Sequence, residues 1–119
     1  MTALSFRELT VWQKSMDLAK IIYKICKKLP PEEKFGLAGQ MQRCAVSIPS
    51  NIAEGNKRTT AKDYVQFIRI ASGSAAELET QLLLTRDIYG LNVVEALDLL
   101  TEVQKMLQVM GIRLLKPTT

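Results

Sequence analysis

The chain has 119 residues, 47% of them hydrophobic, and its 16 Lys plus Arg against 12 Asp plus Glu leave a formal net charge of +4. That length predicts one domain over residues 1–119 with a single core, and no apolar run approaches the roughly 18 residues that span a bilayer, so no membrane association is expected. The absence of histidine removes the usual general base and the commonest transition-metal ligand, so neither a metal nor another cofactor is expected.

Charge is unevenly placed, with ten basic and five acidic groups in residues 1–60 against six and seven in residues 61–119. An excess of this size permits a polyanionic partner without demanding one. Residues 1–10 lack a basic segment followed by an apolar one, so no secretory signal is read there and a cytoplasmic protein is expected.

In chain order, residues 1–9 read as an arm that Phe6 and Leu9 pin to the body of the fold. Thr10 with Gln13 three later resembles a capping box and opens a first helix over residues 10–28. Its apolar residues form two adjacent rows, Val11, Leu18, Ile22, Ile25 and Leu29 beside Trp12, Met16, Ala19, Tyr23 and Cys26. The polar side chains fit within about 140° of arc. The apolar side is therefore wider than one seam needs, which predicts contact with a second chain.

Pro30-Pro31-Glu32-Glu33 stops this helix and opens a new turn, because proline suits the first helical position and acidic groups suit the first turn. A second helix is predicted over residues 36–55, with the seam Leu37, Met41, Cys44, Ile48 and Ile52. Beside that seam runs a polar row, Gln40, Arg43, Ser47, Asn51 and Glu54. Pro49 removes the hydrogen bond to Ala45 and predicts a kink. Gly55 reads as the terminator, followed by the basic turn Asn56-Lys57-Arg58.

Thr60 with Asp63 marks the start of a third helix over residues 60–89, roughly 45 Å long, whose seam is Tyr64, Ile68, Ala71, Ala75, Leu78, Leu82, Thr85 and Tyr89. Its middle, Ala71 to Ala76, has almost no bulk, and Gly73 costs about 1 kcal/mol of helix propensity relative to alanine. Such a smooth patch predicts the close approach of another helix backbone. Gly90 closes the helix, and Asn92 with Glu95 resembles the cap of a fourth over residues 93–115, with the seam Ala96, Leu100, Val103, Leu107, Met110 and Leu114. Pro117 ends the predicted order. The fold class that follows is all-α, an antiparallel up-down-up-down four-helix bundle with shallow left-handed crossings.

The chain shows no nucleophile with a base, no metal set and no phosphate loop, so a non-enzymatic protein is expected. Cys26 and Cys44 lie on different predicted helices and on apolar stripes, and read as reduced core thiols. Lys57, Arg58 and the free amides at the start of the third helix can hold one phosphate. The polar row has a structural explanation, a network of Gln40, Arg43, Ser47, Asn51, Glu54, Ser74 and Glu77. A hairpin centred on Lys57 sets Arg43 beside Gly73 and Ser74 and within one turn of Glu77, where an ion pair and serine hydrogen bonds satisfy the guanidinium.

The motifs Phe35-Gly36-Leu37, Gln40, Arg43, Ser47 through Gly55, Tyr64, Phe67, Ile70 through Ser74 and Glu77-Leu78-Glu79, with Phe6, Leu9 and Val11-Trp12-Gln13, cover most of the chain. In them the sequence resembles the four-helix-bundle proteins encoded within intervening sequences of bacterial large-subunit (23S) ribosomal RNA genes. That family is in turn similar to the accessory protein of diversity-generating retroelements, a ring-shaped homopentamer that binds nucleic acid and a reverse transcriptase. The resemblance implies a ring-like homo-oligomer, a pentamer, with RNA or DNA and a reverse-transcriptase-like protein as partners.

In such a bundle one end gathers Arg7, Lys14, Lys57, Arg58, Lys62, Arg113 and Lys116 against Glu8, Glu54 and Asp63. The other end gathers Lys24, Lys27, Lys28, Lys34 and Arg86 against Glu32, Glu33, Asp87, Glu95 and Asp98, and is neutral. The first end is the expected polyanion site, sequence-tolerant and without an exposed aromatic row for base stacking. Two functions remain open: a nucleic-acid-binding oligomeric accessory protein, or a protein–protein scaffold whose basic residues only solvate its surface.

Overall fold

The computed structural model describes residues 5–117, which form four α-helices and no strand. They are α1 (Thr10–Cys26), α2 (Leu37–Asn56), α3 (Ala61–Tyr89) and α4 (Val94–Leu114), with short 3-10 turns at Phe6–Glu8 and Pro31–Glu33. Each helix packs against the next in the chain, and α1 also packs against α4. The four thus enclose one core in a body of 53 × 20 × 19 Å. Residues 1–4 of the expected arm lie outside the described residues, whereas the turn at Phe6–Glu8 lies against α1 and α2.

The periodic apolar positions become the core. Leu18 and Ile22 of α1, Met41, Ile48 and Ile52 of α2, Ile68, Leu78 and Leu82 of α3, and Leu100 and Leu107 of α4 are almost fully shielded. The two rows of α1 separate. Val11, Leu18, Ile22 and Ile25 go inside, while Trp12, Met16, Ala19 and Tyr23 line an open groove with Val46, Pro49 and Ala53 of α2. Ser15 is buried within the α1 core face, where its hydroxyl donates to the Trp12 carbonyl at 2.8 Å and so costs little. Thr85 is buried likewise, donating to the Gln81 carbonyl at 2.9 Å.

Helix ends show which caps act. Thr60 has an extended backbone and its Oγ1 accepts the Asp63 amide at 3.1 Å. Thr10 is already helical and caps nothing; Gln13 Nε2 instead donates to the Arg7 carbonyl at 2.8 Å, fastening the Phe6–Glu8 turn to α1. Asn92 Oδ1 accepts the Val94 amide at 3.0 Å. Gly90 closes α3 with φ of 67°, a left-handed conformation that favours glycine.

Gly55 does not terminate α2, which runs on to Asn56. It is buried because α3 comes too close for a side chain: a Cβ there stands 2.9 Å from both Phe67 Cβ and Tyr64 Cδ1. Gly73 is the reverse case. It is exposed, and a Cβ at that position meets nothing within 4 Å, so no helix of this chain closes on Gly73 itself, although Ala71 and Ala75 beside it are buried and Ser74 bonds Ser47 of α2.

The pairing of α2 with α3 differs from a hairpin centred on Lys57. Ser47 meets Ser74, Cys44 meets Glu77 and Gln40 meets Gln81, each partner five residues further along α3 than a register that sets Arg43 beside Gly73. The connection occupies residues 57–60, and its extended Thr60 carries the chain across before α3 begins, moving the centre of the turn toward Thr60.

Both cysteines are free and buried. Cys26 Sγ donates to the Ala38 carbonyl at 3.6 Å, and burial pushes its thiol up to about 11. Burial also raises the Cys44 thiol, assisted by the nearby Glu77 carboxylate and opposed by Gln81 and Arg43. Neither is a ready thiolate near neutral pH.

Candidate nucleic-acid interface

The basic end is assembled by small aromatic contacts. Phe6 meets Trp12 edge-on at 5.3 Å between ring centroids, and Lys57 Nζ lies 6.0 Å above the Phe6 ring. This brings the turn that carries Arg7 against the end of α2. Arg58 lies 4.6 Å above the Phe67 ring, and its guanidinium reaches Glu54 at 3.9 Å. The ring contact contributes about 0.5–1 kcal/mol at an exposed site and the ion pair about 0–1 kcal/mol. Their larger effect is to restrain Arg58 at the surface, where its side chain stays 46% exposed.

Lys62 is exposed in the first turn of α3, next to Asp63. Arg113, near the end of α4, lines a groove with Leu9 and Thr10 at the start of α1, and Lys116 is exposed just beyond α4. The start of α3 and the end of α4 also meet, since Val65 and Leu115 line one hollow. Six of the seven expected cations, Arg7, Lys57, Arg58, Lys62, Arg113 and Lys116, are thus exposed around one end.

Lys14 is different. Its ammonium pairs with Glu102 of α4 at 3.4 Å and is only one-third exposed, so it is already neutralised within the chain. Two cations absent from the expected set stand nearby: Lys105 in the groove with Arg113, and Arg69 in the hollow with Leu115. The signal for both is helical spacing, Lys105 two turns before Arg113 and Arg69 two turns after Lys62. Tyr64 and Phe67 are half-buried, and the exposed aromatics Tyr23 and Phe35 lie on other elements.

The polar row between α2 and α3 is only partly a network. Ser47 and Ser74 share a hydrogen bond of 2.8 Å, and Asn51 Nδ2 donates to the Ser47 carbonyl and hydroxyl at 2.8 and 3.0 Å. Glu54 turns away to Arg58. Arg43 and Glu77 line the same groove yet do not form the expected buried ion pair; among the described residues no carboxylate lies within 4.0 Å of Arg43. Both side chains are exposed, so water solvates each charge and closing the pair offers little.

No metal-binding group of three or more His, Cys, Asp or Glu occurs among the described residues. No helix there is long and apolar enough to cross a membrane.

Residues 7–110 match the model of the 23S rRNA-intervening sequence protein family. The chain belongs to that family. No individual curated protein matches it. The matched span of this rRNA-intervening sequence protein begins at Arg7 and takes in α1, α2, α3 and most of α4, so the polar groove and Arg7, Lys57, Arg58 and Lys62 of the basic end fall within the family region, while Arg113 and Lys116 lie beyond it.

Proposed function

We propose that this protein is a non-enzymatic, oligomeric accessory protein that holds the phosphate backbone of RNA or DNA through its basic end. The observation that carries the reading is the arrangement of Lys57, Arg58 and Arg7 around Phe6 and Phe67, which gathers exposed cations from two segments on one surface. Lys62, Arg113 and Lys116 extend that surface, and phosphate contacts of this kind position a polyanion without reading its bases. The neighbouring pairs of helices and the order of the contacts across them support an antiparallel up-down-up-down bundle. Cytoplasmic nucleic acid is the partner in this reading. A reverse-transcriptase-like protein enters by resemblance to the retroelement accessory protein.

Assembly is the second half of the proposal. The groove of about 610 Å³ between α1 and α2, with Tyr23 and Val46 each 44% exposed, leaves apolar surface that a second copy of the chain covers. A ring, pentameric by the same resemblance, places every basic end on one face and multiplies weak phosphate contacts. A protein–protein scaffold without nucleic acid is favoured instead by a second apolar groove, about 540 Å³, between α1 and α4. A mobility shift of single- and double-stranded RNA and DNA across a salt series separates the two. Retardation that fades with salt supports the accessory reading, and no retardation at low salt replaces it with the scaffold.

A further inference from the structure

Two exposed surfaces of this chain complement each other. One is the groove between α1 and α2, where Trp12, Met16 and Tyr23 share the lining with Lys20, Lys24 and Lys27. The other is the outer face of α3. Ile70, Gly73, Glu77, Thr80, Leu84 and Ile88 follow one another there at spacings of three and four, and all are exposed, Ile70 by 50% and Ile88 by 60%. They form a second seam on a helix whose first seam already faces the core. A helix side that meets only water carries polar residues at such positions.

The charges of the two surfaces are opposite. Among the described residues no carboxylate lies within 4.0 Å of Lys20, Lys24 or Lys27, and no cation lies within that distance of Glu77. The sole hydrogen bond to Glu77 among those residues is the weak one from Cys44 Sγ at 3.8 Å. A groove set against a groove brings lysines together, and a stripe set against a stripe brings carboxylates together. Each surface disfavours its own kind and suits the other.

Their levels along the bundle match as well. Cys26 of α1 bonds the Ala38 carbonyl of α2, and Gln40 of α2 meets Gln81 of α3. Counted back from these contacts along α1 and α3 of the antiparallel bundle, Met16 stands level with Gly73, Lys20 with Glu77 and Tyr23 with Thr80. Rotation about an axis parallel to the bundle preserves every level, and a ring with all basic ends on one face has such an axis. We infer that the α1–α2 groove of one copy receives the outer face of α3 of a second copy, head to tail, with Met16 over Gly73, Tyr23 against Thr80 and Lys20 paired with Glu77. A Cβ at Gly73 meets nothing within 4 Å in its own chain, which leaves a seat for the flexible Met16 side chain. Groove and stripe are different surfaces, so the contact is heterologous and passes from copy to copy until the ring closes. The inference rests on the assembly half of the function proposed above and adds to it the face that fills the groove.

The test uses the full chain and light scattering after size exclusion. Lys20→Glu and Glu77→Lys should each raise the dissociation constant of the assembly by about a hundredfold, the order expected when like charges meet across an interface. The chain carrying both exchanges should associate again. Gly73→Trp fills the seat of Met16, and Val46→Glu spoils the groove; each, with helicity unchanged by circular dichroism, should be a monomer alone. Mixed together they should form a one-to-one dimer, because one variant brings an intact groove and the other an intact stripe. An interface made from the same face of both copies gives no such rescue. The inference is overturned if the mixture stays monomeric at high concentration, if Glu77→Lys and Gly73→Trp assemble like the parent, or if the double exchange fails to restore association. Assembly itself survives those three outcomes, since the parent is then still an oligomer, whereas a monomeric parent overturns both.

Discussion

Glu33 and Tyr89 join the loop before α2 to the far end of α3: the Tyr89 hydroxyl donates to Glu33 Oε2, while Glu33 Oε1 accepts the Leu37 amide at 3.0 Å. One carboxylate thus caps α2 and ties it to α3. The Tyr89 hydrogen bond and then the Leu37 amide hold the Glu33 carboxyl below its usual 4.5. A group with a depressed folded pKa contributes stability that is present above the unfolded value and is lost as pH falls through the folded one. Stability should therefore drop as the medium is acidified below 4.5. Tyr89→Phe should flatten that acid limb. Denaturant melts at a series of pH values read both, and identical acid limbs in parent and variant would remove Glu33 from the account.

The same contact has an alkaline side. The bond to Glu33, with burial and the charges of Glu33 and Glu32, raises the Tyr89 hydroxyl above 10. A raised folded pKa means that stability is fully present below the unfolded value and is lost as pH rises through the folded one. Glu33→Gln should lower the pH at which the Tyr89 phenolate absorbance appears, measured against the other two tyrosines.

Gly55 and Gly73 should respond in opposite ways to alanine. At Gly55 the new Cβ meets Phe67 and Tyr64 at 2.9 Å, and overpacking of this kind costs about 1–3 kcal/mol. At Gly73 nothing lies within 4 Å, so Gly73→Ala should stabilise the isolated chain by up to about 1 kcal/mol. Thermal melts measure both. If Gly73→Ala instead dissociates an oligomer, a second chain sits on the patch.

Arg43→Ala and Glu77→Ala should each change the stability of the chain by no more than about 0.5 kcal/mol, because both side chains are exposed and unpaired. Their double variant should be additive within about 0.5 kcal/mol. A larger coupling in denaturant melts would mean that the two charges meet in solution.

Replacing Lys57, Arg58 and Lys62 by Ala should flatten the slope of log affinity against log salt by about 0.7 to 0.9 for each phosphate that is no longer neutralised. Lys14→Ala should leave the slope unchanged, since Glu102 already neutralises Lys14. Filter binding over a salt series gives both. A triple variant with parental affinity and slope would remove the basic end from the interface.

Val46→Glu tests assembly separately. Val46 is 44% exposed beside Tyr23 in the α1–α2 groove, so a carboxylate there is tolerated by the chain and not by an apolar interface. Light scattering after size exclusion should show the parent as an oligomer and the variant as a 13.3 kDa monomer. A monomeric parent would sink the assembly half of the proposal.

The helices and their inner faces follow from the amino-acid pattern alone. Met41, Ile48 and Ile52, or Leu78 and Leu82, announce burial because apolar side chains at spacings of three and four share one side of a helix. Thr60 and Gly90 are legible as helix ends for an equally local reason, the hydroxyl that takes an amide and the residue that tolerates a positive φ. The cluster of cations near Lys57 is legible too, because short connections restrict which ends can meet. The position of α2 along α3, by contrast, is settled only when the two helices pack. A seam repeated every three to four residues offers similar burial at several registers, and the choice falls to loop geometry and to single contacts such as Ser47 with Ser74. From that one displacement come the unpaired Arg43, the isolated Glu77 and the buried, half-satisfied Gln81. Local spacing is blind to it, because a residue's neighbours across a helix pair depend on translation along the axis, and periodicity fixes only rotation about it.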